Sequence, residues 1–301
     1  MAFYLVTRLL VKPGEHVIVG EPGYFIANLT FRQAGAIVEQ VPVDDSGIDV
    51  DSIESLCAKK KIKLVYVIPH HHYPTTETLT PDGRIRLLEL AARHRFAIIE
   101  DDYDYDFDYG SGPILPMASL DHHGNVIYVG TLTKTLVPAI RIGFMVAPQN
   151  FIEAASHLRR GIDWQGDSMM EVAIAELYKN GTIARHIKKS VKLYRERRDN
   201  FCSQLRDKIG RYVSFKVPNG GMAVWAAFND VDLKEISIVA AKKGLAMGDG
   251  TLFNTGTKNY NSTRLGFASL SLGEQEKALD ILKESIYKEL LLQHHHRRVF
   301  D

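Results

Sequence analysis

Cysteine is scarce in this chain: two residues in 301, Cys57 and Cys202. That excludes a disulfide framework as the device holding the fold and suits a reduced compartment. Charge of one sign is also missing, with 37 Lys and Arg against 36 Asp and Glu. A balance of that kind builds no global field, so these residues are not expected to form a nucleic-acid-binding module by themselves. No apolar run is long enough to span a bilayer. The opening Met1-Ala-Phe-Tyr-Leu-Val-Thr-Arg8 has no basic segment ahead of an apolar core, so it does not read as a signal peptide. The expectation is a cytoplasmic chain with no membrane partner. Internal repeats and low-complexity linkers are lacking too. What remains is 45% hydrophobic and 24% charged, an ordinary globular composition with length for two lobes.

Met1 to Val11 reads as an amphipathic helix stopped by Lys12-Pro13-Gly14. A chain that opens inside a helix is expected to be part of a longer one. Short β-branched runs then alternate with helical patterns. The strand candidates are Val17 to Val19, Ile37 to Val43, Leu64 to Ile68, Ala97 to Ile99, Val126 to Val129 and Phe144 to Ala147. Runs apolar on both faces are the mark of a parallel sheet covered by helices. Helical patterns lie between them at Tyr24 to Ala34, Val50 to Lys60 and Gly83 to His94. The alternation predicts a doubly wound α/β lobe. After Pro148 the pattern changes. Thr182 to Ile209 keeps a long helical spacing. A hairpin is expected from Val213 to Val217, turning at Asn219-Gly220-Gly221 into Met222 to Trp225. A helix near Leu233 to Lys243, a strand near Leu265 and a last helix from Glu274 complete a smaller α+β lobe. The expected division is 1–185 and 186–301. The tail from Gln293 to Asp301 reads as loose, with His294 to His296 a solvated end.

Two clusters carry chemistry. The first is Gly130-Thr131-Leu-Thr133-Lys134 through Arg141 and Gly143, directly after a strand. It offers two hydroxyls, an amine and a guanidinium. A phosphorylated aldehyde needs an amine to form an imine, and hydroxyls with a guanidinium fork to hold a dianion. A buried lysine beside other cations has a lowered pKa and serves as a nucleophile. The bland alternative, an exposed loop lysine beside a structural arginine, is about as good from this cluster alone. The second cluster is Glu100-Asp101-Asp102-Tyr103-Asp104-Tyr105, also after a strand and so at the carboxyl end of the sheet, where open α/β folds bind ligands. A pyridine ring used as an electron sink needs a carboxylate at its nitrogen. Asp101 and Tyr103 are the choices, with Asp102 competing for the acid's place. A metal-binding or solvated acidic loop is the alternative.

The order strand-Asp-x-Tyr, then strand-Thr-x-Thr-Lys with Arg at plus seven, resembles fold-type I aminotransferases that use pyridoxal 5′-phosphate (PLP). Glu100 to Phe107, Tyr128 to Gly143, Glu21-Pro-Gly-Tyr24 and Pro69-His-His-His-Tyr-Pro-Thr75 look like the aminotransferase-like domain of the MocR subgroup of GntR regulators. The resemblance implies that Lys134 carries PLP as a Schiff base. Asp101 would then pair with the ring nitrogen and Tyr103 with the ring oxygen. Thr131, Thr133 and Arg141 would bind phosphate, and Tyr24 would stack on the ring. Arg264, in Thr263-Arg-Leu-Gly-Phe267, would grip a substrate carboxylate; without the family it is an ordinary strand arginine. A homodimer, and an amino acid or related amine or carboxylate as ligand, are implied in the same way. So is DNA contact only through an N-terminal domain outside these residues. The chain departs from the family at Tyr73-Pro74-Thr75-Thr76, where Asn-Pro-x-Gly is usual, and His72 or Tyr73 is left to stand in. The family's Gly/Ser-rich phosphate turn would fall before Met1. The same site serves three readings: a regulator's effector domain, a free-standing aminotransferase, and a fold relative without cofactor.

Overall fold

The computed structural model describes the chain except residues 111, 113, 256, 257 and 301 and the side chains of 292–300. It divides into two compact units, residues 1–73 with 77–189, and residues 74–76 with 190–301.

The first unit holds α1 (Ala2–Leu10), β1 (His16–Glu21), α2 (Phe25–Gln33), β2 (Ile37–Asp44), β3 (Gly47–Ile48), α3 (Val50–Cys57), β4 (Ile62–Val67), α4 (Pro81–His94), β5 (Ala97–Asp102), β6 (Val126–Thr131), β7 (Gly143–Val146), α5 (Gln149–Asp163) and α6 (Ser168–Lys179). The first seven strands make one sheet in the order β3-β2-β1-β4-β5-β6-β7. Its centre, β2-β1-β4-β5-β6, is parallel, while β3 and β7 run antiparallel at the edges. All six expected strands are present, and the sheet is mostly parallel as the apolar runs imply.

Alternation along the strands sends side chains to two cores. Ile18, Val65, Val67 and Ile98 pack with Ile53, Leu87, Leu90 and Ala91 of α3 and α4. Val17, Val19, Leu64, Tyr66, Ile99 and Val129 pack with Val6 of α1 and Phe31 of α2. Each such fully buried aliphatic side chain contributes roughly 1.5–3 kcal/mol. Local chemistry places the helices. Asp49 caps α3, accepting from the amides of Asp51 at 3.0 Å and Ser52 at 3.2 Å. Thr80 caps α4 ahead of Pro81, and Arg95 ends that helix at φ 59°. The helices α5 and α6 were not expected from the sequence.

The second unit contains most of α7 (Thr182–Ile209), then β8 (Val213–Phe215), β9 (Ala223–Phe228), α8 (Leu233–Lys242), β10 (Ser262–Gly266) and α9 (Leu272–Phe300). Its three strands pair antiparallel in the order β10-β9-β8. The hairpin forms, but β8 stops at Phe215, so its connection is longer than the Asn219-Gly220-Gly221 turn alone. Phe201, Leu205, Ile236, Phe267, Leu282 and Ile286 are buried in this unit. The backbone of α9 is helical through Phe300, so the tail is not an irregular coil; the side chains of His294 to His296 lie outside the described residues.

Candidate active site

The acidic run at the end of β5 is buried, with Glu100, Asp101, Asp102 and Asp104 between 0% and 8% exposed. It is therefore not a solvated loop. The pleat sorts it. Glu100 points to the α4 side and accepts from the amides of Met117 at 2.7 Å and Ala118 at 2.8 Å. Asp102 takes Tyr128 Oη at 3.0 Å and stands 3.0 Å from His70 Nδ1. Asp101 emerges on the opposite face, where its Oδ2 accepts from Tyr66 Oη at 2.6 Å. Burial raises the Asp101 pKa to about 7, aided by Asp102 and Asp104 and opposed by the Tyr66 hydrogen bond.

The α1–α2 face also holds the aromatic residues of interest. Tyr24, Tyr73 and Tyr103 are half-buried against its core. Tyr24 sits at the start of α2 with its ring 5.3 Å from that of Tyr73. Its phenol pKa is raised by burial and by Asp101. Gly23 must be glycine here, because a Cβ would lie 2.3 Å from Gly20 O. Tyr103 Oη donates to His71 O at 3.0 Å. Of the two acids left open by the sequence, Asp101 shares a face with Tyr24 and Tyr103, and Asp102 does not.

The segment after β6 is a strap. Leu132, Leu136, Ile140 and Ile142 pack with Ile174 of α6 and Ile183 of α7. Thr135 is pinned from two sides: its Oγ1 donates to Asp106 at 2.8 Å, and its carbonyl lies 2.9 Å from His186 Nε2. Thr131 and Thr133 bring their hydroxyls within 3.0 Å of each other. Lys134 is exposed, so the expectation of a buried lysine is corrected: the strap's apolar residues turn inward and leave Lys134 outward. Arg141 is also exposed and takes φ 54°. Among the described residues neither cation has a hydrogen bond or ion pair. An amine, a guanidinium and two hydroxyls without an anion of their own make a set suited to an external dianion.

The histidine run is entirely buried. His70 bonds Ile114 O at 2.6 Å, and His71 Nδ1 pairs with Asp104 at 2.8 Å. Burial alone holds His72 neutral, lowering its pKa to about 3. Beneath the run lies Arg84, 1% exposed, whose guanidinium donates to Leu79 O, Leu115 O and Pro69 O at 2.7–2.9 Å. Thr76 takes φ 63°, the conformation natural to the glycine the family carries there. Arg264 lies on β10 opposite Trp225, half-buried, in the second unit. Sequence reasoning missed Tyr66, which looks like one more apolar residue of its strand. It also missed the pinning of Thr135, whose Asp106 and His186 partners are distant in sequence.

An open, mostly parallel sheet with its polar residues gathered at strand carboxyl ends defines a doubly wound α/β ligand-binding protein. The chain belongs to the aminotransferase class I and II family, whose model matches residues 2–282. The cofactor of this fold-type I family is pyridoxal 5′-phosphate. Aromatic-amino-acid aminotransferase 1 of Thermococcus litoralis is 31% identical over 96% of this chain and 71% of its own length. The probable rhizopine catabolism regulatory protein MocR of Rhizobium meliloti is 27% identical over 94% of this chain and 57% of its own, so the chain spans little more than half of that relative. The crystal structure of Pyrococcus horikoshii kynurenine aminotransferase, in complex with PMP, matches 96% of this chain and 73% of its own with a TM-score of 0.89 at 31% identity. Among the described residues no helix is long and apolar enough to cross a membrane.

Proposed function

We propose that this chain is the PLP-binding, aminotransferase-like effector domain of a MocR/GntR-type regulator, with the cofactor held as a Schiff base on Lys134. The observation that carries the cofactor's placement is the pair of cations, Lys134 and Arg141, without an anionic partner among the described residues. The donor set fits the group. Lys134 would supply the amine; Thr131, Thr133 and Arg141 would hold the phosphate; Tyr24 would cover the ring and Tyr103 would serve the ring oxygen. Asp101 would pair with the ring nitrogen through its Oδ1, which accepts no hydrogen bond among the described residues. When bound, the cofactor supplies an electron sink for an amino compound. Arg264 takes a carboxylate on that compound. The regulator reading is supported by MocR-type relatives. In it the protein is a cytoplasmic homodimer, and DNA is contacted by residues outside these 301.

A second reading, a free-standing aminotransferase exchanging an amino group between an amino acid and a 2-oxo acid, is supported by the 31% identity to the Thermococcus enzyme. Here the Lys134 amine also moves a proton at the substrate carbon. Two measurements test these readings. Added PLP should give imine absorbance at the visible edge in the wild type and none in Lys134→Ala; equal absorbance in both sinks the Lys134 assignment. Sustained release of a new 2-oxo acid from an added amino acid, with a different 2-oxo acid supplied to accept the amino group, marks an enzyme, whereas a spectral response without turnover marks an effector domain.

A further inference from the structure

Tyr66 lies on β4 opposite Ile99 of β5, and Asp101 is the next residue of β5 on the same face. That diagonal is within reach of a long side chain, and the phenol spans it to put Oη 2.6 Å from Asp101 Oδ2. The Tyr66 ring is fixed independently of this bond. It is 4% exposed and meets Phe3 edge-on at 5.5 Å and Phe31 at 6.0 Å. The hydroxyl is therefore held at the carboxylate by packing, and Asp101 follows it.

We propose that Tyr66 is the positioning residue for Asp101: its O–H occupies Oδ2, fixes the carboxyl plane, and leaves Oδ1 as an ionised acceptor for a pyridinium N–H. This rests on reading Asp101 as the partner of the ring nitrogen. The physical need is plain. Asp101 is buried and faces two like charges, Asp102 and Asp104, on its own segment, and all three effects favour the neutral acid; the phenol of Tyr24, from the start of α2, is itself held neutral beside Asp101. Tyr103 and Tyr66 are the other titratable groups at this place, and among all of them Tyr66 alone donates to Asp101 among the described residues. A neutral Asp101 would offer the ring nitrogen a weaker, uncharged acceptor.

Tyr66→Phe keeps the ring and its packing and removes only the donor. The carboxyl of Asp101 is followed by carbon-13 NMR in cofactor-free protein, with Asp101→Asn identifying its signal, and PLP dissociation constants are measured across pH for all three forms. Loss of one charge-assisted bond should move the Asp101 midpoint up by about one to two pH units. PLP affinity near neutral pH should fall about tenfold in Tyr66→Phe and recover as pH rises through the new midpoint. An unmoved Asp101 midpoint overturns the proposal whatever PLP does. A moved midpoint with PLP affinity unchanged in both Tyr66→Phe and Asp101→Asn overturns the ring-nitrogen reading instead, and with it the cofactor half of the proposal.

Discussion

His72 should make this protein acid-sensitive by an amount that can be worked out. In the folded chain the imidazole is fully buried and its pKa falls from 6.5 to about 3. The unfolded chain then binds the proton first. Between those two values the unfolded state holds more protons, so stability is intact above pH 6.5 and is lost as pH falls toward 3. At about 1.4 kcal/mol per pH unit, the loss is about 2 kcal/mol by pH 5 and about 5 kcal/mol at the end of the range. Asp101 works the other way over an overlapping range. Its raised pKa, about 7, makes the folded state gain protons as pH falls from 7, which adds stability. The raw acid profile mixes the two, so the informative quantity is a difference. Urea unfolding of wild type and His72→Gln, followed by far-UV circular dichroism at several pH values, supplies it. The substitution shifts stability by some constant amount from altered packing. On top of that, the variant should gain about 2 kcal/mol relative to wild type between pH 7 and pH 5. Parallel pH profiles for the two proteins would refute the reasoning and mean that His72 takes up its proton in place.

Two further outcomes are expected. Arg84→Met leaves three carbonyls of the 69–79 and 115 segments without their donor, a loss of about 3–5 kcal/mol that lowers the melting temperature by about 10 °C; a drop under about 2 °C would show that water replaces the guanidinium. Thr76→Gly relieves a β-branched residue at positive φ and should raise stability by about 1 kcal/mol in the same melting assay; a lower melting temperature would show that the Thr76 side chain offsets its backbone strain.

The sheet was legible because strands buried on both faces have to be written as unbroken apolar runs, and β1, β4, β5 and β6 are written that way. Helices α5 and α6 were not, because each buries a single residue, Ala155 or Ile174, and leaves Trp164, Met169 and Val172 of this stretch exposed. A helix without a buried stripe has little periodic signal. The caps at Pro148 and Asp167 were the available clues. Candidates for the site whose chemistry is local could be proposed from the sequence: Asp101 in the last two residues of β5, Tyr103 just after it, and Lys134 just after β6. Residues whose part depends on a partner in another strand could not. Tyr66 acquires meaning only through its register against β5. Whether Lys134 is buried or exposed was left open by the sequence, since it follows from which neighbours on the strap turn inward.

The sorting of acids at the end of β5 has a genetic consequence. A one-residue insertion before Glu100 would exchange the faces of Glu100, Asp101 and Asp102 together. Glu100 would then stand where Asp101 now faces Tyr66, one methylene longer, and Asp101 would take the place of Asp102. Each face would keep a carboxylate, so the local charge of the protein would survive such a slip, while the reach of the acid that meets Tyr66 Oη would change. A one-residue insertion in β5 should therefore disturb ligand binding through geometry, with the charge of the site intact.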